Sequence, residues 1–183
     1  MKKRIFAEDI AICLAGTRKE PLNYREKYDN FYRAAKLFLE TKDEELTKHI
    51  LDEEFENLFQ IFKETICKTK FFNFINPIPK EFSKIFLINN KEYEVVLKTD
   101  FYVKNRRKTF YYFILPDAMG WTESALKHFH RLGNDIINYT LPPEESEFRI
   151  INLFKRNIIK GNSVSYRYHR KVSHIVSKMV STF

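Results

Sequence analysis

The chain has 183 residues, of which 44% are apolar and 16% aromatic, and these values suit one domain with a largely aromatic core. The formal net charge of +8 favours anionic partners such as phosphate backbones. No apolar run approaches the ~20 residues of a membrane span, so we expect no membrane partner. Glu8 and Asp9 follow the basic start too soon for a signal peptide, and Cys13 and Cys67 lack a metal-type spacing. We therefore expect a cytoplasmic protein with reduced thiols.

The first 70 residues are predicted to be helical. Residues 6–15 form a short apolar segment. Apolar side chains then recur at helical spacing over 24–39, with Arg25 on the side that would face water. A second long helix, capped by Asp43, is expected to run to about Cys67. These segments predict an N-terminal helical hairpin with one wide apolar face.

The middle of the chain is predicted to form an antiparallel β-unit. A short apolar strand over 84–88 is followed by a turn at Asn89-Asn90, since Asn tolerates left-handed backbone. Residues 92–103 are rich in β-branched and aromatic types and predict one long strand. Residues 109–115 are apolar on both faces, which predicts a central strand. The two strands would be joined by a basic turn at 104–108.

The last third of the chain adds helices around this sheet. Thr122 can cap a helix that Pro142-Pro143 ends. Residues 148–159 fit either a strand or a helix, and the pattern over 168–179 predicts a final amphipathic helix. We expect one α+β domain over 1–183, with a helical part at 1–70 and a core at 71–183. That core would be a central antiparallel or mixed sheet with flanking C-terminal helices.

Asp100 lies in the predicted strand 92–103, and Asp117-Ala118-Met119 follows the predicted strand 109–115. With these acids, the region between Asn76 and Leu141 resembles the PD-(D/E)XK nucleases, especially the phage exonucleases and the RecB/RecE type. In that family an Asp on one strand and an acid-x-Lys motif on the next hold Mg²⁺ for phosphodiester cleavage. Asp100 matches the first Asp, and Asp117-Ala118-Met119 stands where the acid-x-Lys motif belongs. Residues 121–129 resemble the helix that follows. The resemblance implies that Asp100 and Asp117 would be the metal ligands.

The motif departs from the family pattern at several positions. Met119 stands where the family has its catalytic Lys, Asp135 replaces a Gln, and Pro116 interrupts the strand before the acid. Lys98 or Lys127 could supply the missing ammonium group. The resemblance therefore implies a nucleic-acid-associated protein that has lost cleavage activity. Mg²⁺ would be its cofactor only if the enzyme is active, and otherwise it would have none.

Both acids also fit ordinary structural roles. Asp100 would then be a solvated acid on the polar face of a strand, paired with Lys98 or a lysine across the sheet. Asp117 follows a proline at a turn, where Asp is common because it hydrogen-bonds to its own backbone. The sequence leaves these interpretations open.

Two basic segments are candidates for phosphate contact. The charges of the turn are dense enough to be exposed or matched by an anion, and they belong to Lys104, Arg106, Arg107 and Lys108. A later segment interleaves tyrosines with bases, as in single-strand stacking sites, and its bases are Arg167, Arg170 and Lys171. A solvated hairpin tip and the polar face of an amphipathic helix are the alternatives.

Nucleic acid, with DNA expected, is the favoured partner, and two other functions remain open. One is a structural or protein-interaction component of a phage or mobile element, whose Phe-rich helical hairpin would bury against a protein partner. The other is an active Mg²⁺-dependent DNA exonuclease with a migrated lysine. Bases gathered on one surface would favour nucleic acid, and bases spread evenly would favour the structural role.

Overall fold

The α-helices lie mostly in the first 70 residues of the chain, and one long helix lies between two of the later strands. The computed structural model describes residues 3–16, 24–88, 90–117, 121–161 and 172–177. The α-helices are α1 (Ala7–Leu14), α2 (Tyr24–Lys27), α3 (Asp29–Thr41), α4 (Glu44–Lys48), α5 (Glu56–Cys67) and α6 (Glu123–Asn138). Short 3₁₀ turns cover Glu53–Phe55 and Phe72–Phe74, and residues 172–177 are helical. None of these described helices combines the length and apolar character that a bilayer crossing requires.

The strands form two sheets. They are β1 (Lys3–Phe6), β2 (Ile75–Asn76), β3 (Lys80–Ile88), β4 (Lys91–Thr99), β5 (Phe101–Lys104), β6 (Thr109–Leu115), β7 (Ser146–Asn152) and β8 (Asn157–Ile159). One sheet has the order β1-β4-β3 and the other has the order β2-β5-β6-β7-β8. The β1/β4 and β6/β7 pairs are parallel and the others are antiparallel. The α+β class predicted from the sequence is confirmed.

Several local predictions are confirmed. The Asp43 carboxylate accepts a hydrogen bond from the Leu46 N–H at 3.1 Å, and the Thr122 hydroxyl accepts one from the Ala125 N–H at 3.1 Å. Asn90 has a φ of 59°, as expected of an Asn turn. The β6 strand lies at the centre of its sheet. Residues 148–159, which fitted either a strand or a helix, contain most of β7 and all of β8.

The helical part of the chain differs from its prediction in two ways. Residues 3–6 form β1, which pairs with β4 from far along the chain, so the first 70 residues contribute a sheet strand. The predicted long helix after Asp43 is interrupted between α4 and the 3₁₀ turn. Asn30 of α3 stabilises the break, because its side chain donates to the Ile50 carbonyl at 2.8 Å and accepts from the Asp52 N–H at 3.0 Å.

The long strand predicted over 92–103 is divided at Asp100. The β4 strand ends at Thr99 in the three-stranded sheet, and β5 begins at Phe101 in the five-stranded sheet. The Asp100 N–H still donates to the Tyr112 carbonyl at 2.7 Å, so the backbone continues beside β6. Asp100 is therefore the residue at which the chain passes from one sheet to the other.

The α6 helix connects the parallel strands β6 and β7 and packs against α1, β3, β4 and β7. Gly133 allows this close packing, because a Cβ atom added there would lie 2.2 Å from the Phe148 ring. Phe148 is fully buried and contacts the Phe129 ring with centroids 5.2 Å apart. The absence of a side chain at Gly133 is therefore a packing requirement.

We expect Gly133→Ala to lower the free energy of unfolding by about 1–3 kcal/mol, because the overpacked ring must move. Helix propensity alone would favour Ala by about 1 kcal/mol, so the two effects have opposite signs. Ser124→Ala, on the exposed side of the same helix, is the control and should change stability by less than about 0.5 kcal/mol. Urea unfolding of the three proteins measures the difference. A Gly133→Ala protein as stable as the wild type would contradict the packing requirement.

Candidate functional site

Asp100 is held by hydrogen bonds to both of its carboxylate oxygens. Its Oδ1 accepts from the Arg25 guanidinium, and its Oδ2 accepts from the Ile114 N–H at 2.6 Å. A second guanidinium nitrogen of Arg25 donates to the Lys98 carbonyl at 2.9 Å. Asp100 is thus paired with an arginine and is not the solvated acid that one interpretation of the sequence expected. Arg25, expected to face water, is turned inward.

Arg25 lies between two aromatic rings. Its guanidinium carbon is 4.5 Å from the centroid of the Tyr32 ring and 4.6 Å from that of Phe113. Such cation–π contacts strengthen when solvent is excluded, and the side chains of Arg25 and Asp100 are only 24% and 11% exposed. Burial disfavours the charged guanidinium, but the charge and hydrogen bond of Asp100, together with the electrostatic effects of Tyr32 and Glu8, outweigh burial and raise the pKa of Arg25. Arg25 therefore remains a cation.

Glu8 of α1 adds a second acid to this buried cluster. It is 2% exposed, and its Oε2 accepts no hydrogen bond from the described residues. Burial raises the pKa of Glu8 to about 7, although the charge of Arg25 opposes the shift. Burial also raises the pKa of Asp100, against the opposing effects of Arg25 and the Ile114 N–H. The charge of Arg25 therefore interacts favourably with two buried acids, Glu8 and Asp100.

Asp117 accepts a hydrogen bond from the same side of the helices that binds Asp100. The Tyr28 hydroxyl donates to its Oδ2, and the Tyr32 hydroxyl donates to the Ile114 carbonyl at 2.8 Å. Arg25, Tyr28 and Tyr32 are spaced three and four residues apart, so they lie on one side of α2 and α3. This side contacts the C-terminal end of β6 and the residues that follow it.

The residues around Asp100 do not suit Mg²⁺ while Arg25 is in place. A hard cation needs several free oxygen ligands, and both Asp100 oxygens are already engaged. Within the described ranges, no three His, Cys, Asp or Glu side chains form a group that could hold a metal ion. The guanidinium occupies the position at which a divalent cation would have to neutralise this carboxylate.

The two lysines proposed as substitutes lie in different places. Lys98 pairs with Glu81 at 3.8 Å and lines the same cavity as Asp100. Lys127 projects from α6, is 71% exposed and pairs with Glu123 at 2.8 Å. Asp117 and Lys127 are not among the described residues that line the cavity, so only Lys98 and Asp100 are brought together there.

This cavity, here called the basic cleft, has a volume of about 360 Å³. It lies between α3 and the paired strands β3 and β4. Its charged lining residues are Arg25, Arg33, Lys36, Lys80, Lys98, Glu81 and Asp100. Five cations thus face two carboxylates, and the lining is positive.

A second cavity, here called the basic–aromatic groove, has a volume of about 710 Å³. Its bases and aromatic residues are Lys70, Lys104, Arg106, Arg149, Phe71, Phe74, Phe110 and Tyr112. No Asp or Glu occurs among the described residues that line it. The groove contains half of the basic turn predicted from the sequence, together with bases from two other parts of the chain.

The basic turn is shaped by Asn105. Its side-chain oxygen accepts from the Arg107 N–H at 2.9 Å and the Lys108 N–H at 2.7 Å. Lys104 and Arg106 line the groove, whereas Arg107 is exposed outside it and Lys108 pairs with Glu147 at 3.3 Å. The other predicted phosphate-binding residues lie outside the described residues, and these are Arg167, Arg170 and Lys171.

Sequence reasoning missed Arg25, Glu8 and three lining residues of the groove: Lys70, Phe74 and Arg149. Arg149 had a usable signal, because a lone base interrupts the apolar run 148–151 of a strand. In the structure its guanidinium lies 3.7 Å from the centroid of Phe110 and pairs with Glu147 at 2.8 Å. Arg25 had no comparable signal, because it is one of several charges in a polar helical segment.

Comparison with known proteins gives little further guidance. No protein-family model matches the chain, and no curated protein matches it. Among solved structures the chain is similar to the crystal structure of SSO0001, with 13% sequence identity and a TM-score of 0.47. The similarity covers 100% of this chain and 77% of that one. The function must therefore be inferred from the side chains described above.

Removing either partner of the Arg25–Asp100 pair should lower the stability of the fold. We expect Arg25→Ala to lower the free energy of unfolding by about 3 kcal/mol, since it leaves a buried carboxylate without its cation. Asp100→Asn should also destabilise, and the double variant should lose less than the sum of the two, with a coupling of roughly 0.5–3 kcal/mol. Urea unfolding of the four proteins gives the coupling directly. Strict additivity would mean that the two side chains do not interact in solution.

Glu8 should make stability fall as the pH rises. Its pKa of about 7 lies above the usual 4.5, so between these values the folded protein keeps a proton that the unfolded chain has released. The loss is complete above pH 7 and amounts to roughly 3 kcal/mol at most. We expect Glu8→Gln to melt above the wild type at pH 8 and near it at pH 5. Glu144→Gln, at an exposed turn, is the control, and an equal pH profile for wild type and Glu8→Gln would refute the assignment.

Proposed function

We propose that this protein binds nucleic acid, in single-stranded form, at the basic–aromatic groove and does not cleave it. The observation that carries the proposal is the composition of the groove: four bases and four aromatic residues line it, with no carboxylate among its described lining residues. Single-strand sites combine a positive surface with rings on which bases stack. The two free thiols, Cys13 and Cys67, are consistent with the reducing cytoplasm that we propose as the location.

The aromatic rings of the groove differ in their exposure to a ligand. Phe74 is 71% exposed, so its ring offers a free face to a nucleobase. Phe110 is half-buried and stacked against Arg149, which orders its ring. Phe71 packs on Tyr112 with ring centroids 5.0 Å apart, and both rings line the groove. Exposed stacking at Phe74 and a pre-ordered wall behind it support base binding.

The charges of the groove are available to an anion. Lys70, Lys104 and Arg106 form no ion pair with any described residue and are exposed. Arg149 is engaged with Glu147, so it contributes less net charge. Three free cations around one groove favour phosphates, which release counterions when they are neutralised by lysine or arginine.

Binding is favoured over cleavage because of Arg25. Metal-assisted hydrolysis needs a carboxylate set that is open to a divalent cation, and Asp100 is already bound to the guanidinium and to a backbone N–H. Asp117 accepts from Tyr28. These contacts support the expectation that a nuclease-like arrangement here has lost its activity.

The structural or protein-interaction alternative has weaker support. It relied on the phenylalanines of the helical region, which would bury against a partner. These side chains are already buried within the chain, and they include Phe31, Phe38, Phe59 and Phe62. They form edge-to-face contacts with one another, for example between Phe38 and Phe59 at 5.7 Å. Little of this apolar surface is left for another protein.

Two variants should weaken binding in different ways. We expect Lys104→Ala/Arg106→Ala to reduce affinity for a fluorescent single-stranded DNA oligonucleotide and to make the dependence of log K on log salt shallower by about 0.7 for each phosphate that is no longer neutralised. Phe74→Ala should reduce affinity by roughly 1–3 kcal/mol with an unchanged salt slope, because stacking involves no ion release. Fluorescence anisotropy from 20 to 300 mM salt measures both quantities, and an RNA oligonucleotide is run in parallel.

Lys91→Ala is the matched control, because Lys91 is an exposed base beside the turn between β3 and β4 and does not line the groove. It should leave affinity within about twofold of wild type. An absence of binding at 20 mM salt would refute the proposed function. Strand degradation in Mg²⁺ or Mn²⁺ that disappears in Asp100→Ala would instead establish the exonuclease alternative.

A further inference from the structure

The basic cleft places cations on walls that come from different elements. Arg33 and Lys36 project from one turn of α3, while Lys80 begins β3 and Lys98 lies near the end of β4. The register places Lys80 opposite Thr99 and Glu81 opposite Lys98, so the strand wall is held rigidly. Like charges that meet across one cavity repel each other unless an anion lies between them.

The carboxylates near the cleft do not balance these cations. Asp100 is bound to Arg25, and Glu81 is shared between Arg4, outside the cleft, and Lys98. Among the described residues, the carboxylate that pairs with Arg33 is Asp29 at 4.0 Å, and the one that pairs with Lys36 is Glu40 at 3.7 Å. Both are exposed pairs along a helix, which contribute little.

Lys80 has no carboxylate partner among the described residues, and its ammonium lies 5.7 Å from the centroid of the Tyr102 ring. The five cations and two carboxylates leave the lining with a net charge of +3. Three cations, Arg33, Lys36 and Lys80, are therefore available to a ligand.

The lining of the cleft combines charged groups with apolar surface. The Arg25 Nε is buried and makes no hydrogen bond to any described residue, although the rest of the guanidinium is engaged. Leu39, Pro79 and Ile114 supply apolar surface to the lining. A volume of about 360 Å³ is near the lower end of small-molecule sites, which suits one nucleotide and excludes a duplex.

We propose that the basic cleft binds a phosphate-bearing anion of nucleotide size. Arginine and lysine together match phosphate, because the guanidinium forms paired hydrogen bonds and the ammonium acts as a point charge. The phosphate could belong to a free nucleotide or to a nucleotide within a strand, and the chemistry of recognition is the same. The proposal does not depend on the basic–aromatic groove, which has no charged residue in common with the cleft.

The test compares two double variants that remove the same charge. Arg33→Ala/Lys36→Ala removes one wall of the cleft, and Lys48→Ala/Lys91→Ala removes two exposed bases that do not line it. Binding of pyrophosphate, adenosine diphosphate and a single-stranded DNA oligonucleotide is measured by isothermal titration calorimetry at 20 mM salt. We expect the cleft variant to bind roughly tenfold or more weakly, since each charge-assisted hydrogen bond contributes on that order. The control variant should bind as the wild type does.

The outcomes separate the two sources of phosphate. Binding of pyrophosphate or the diphosphate that is abolished only in the cleft variant would identify a free-nucleotide site. A loss confined to the oligonucleotide would identify a phosphate within a strand. Failure of all three ligands to bind, or equal binding by the two double variants, would overturn the proposal. Melting temperatures without ligand confirm that both variants fold, and the groove variants report separately on the proposed function.

Discussion

The Arg25–Asp100 ion pair joins the helical region to the point at which the two sheets meet. Asp100 lies where the backbone leaves one sheet and enters the other, Arg25 comes from the helical region, and the Ile114 N–H belongs to the central strand β6. A carboxylate in this position cannot be solvated by bulk water, so it needs a buried cation. The arginine fixes α2 and α3 against β6, and their position in turn shapes the wall of the basic cleft.

This interaction also supports the proposal that the protein binds nucleic acid without hydrolysing it. A divalent metal ion and a guanidinium can neutralise the same carboxylate, but only the metal can activate water. The two ends of the β5–β6 pair lie at different cavities. The turn between β5 and β6 contributes to the basic–aromatic groove, while Asp100, just before β5, lines the basic cleft. Positive charge therefore accumulates near both ends of this strand pair.

The sequence predicted features whose causes are local and missed those whose causes are distant. Asp43, Thr122 and Asn90 act on backbone within a few residues, and the apolar faces of β6 require only that strand's own pattern. The break after α4 depends instead on Asn30, some twenty residues away, and β1 depends on β4. Arg25 is of the same kind, because nothing in a charged helical segment indicates which base will find a buried partner. The basic turn was located correctly, but its neighbours in the groove come from other elements.

The pairing of β1 with β4 has a consequence for biosynthesis. Lys3 pairs with Tyr93, a separation of 90 residues, and α1 follows β1 directly. At elongation rates of about 5–20 residues per second, β1 must wait several seconds on the ribosome before its partner is made. During that interval the apolar side of α1 and the acid Glu8 have no sheet to cover them. The docking of the β1–α1 segment onto its sheet therefore belongs to a late step of co-translational folding.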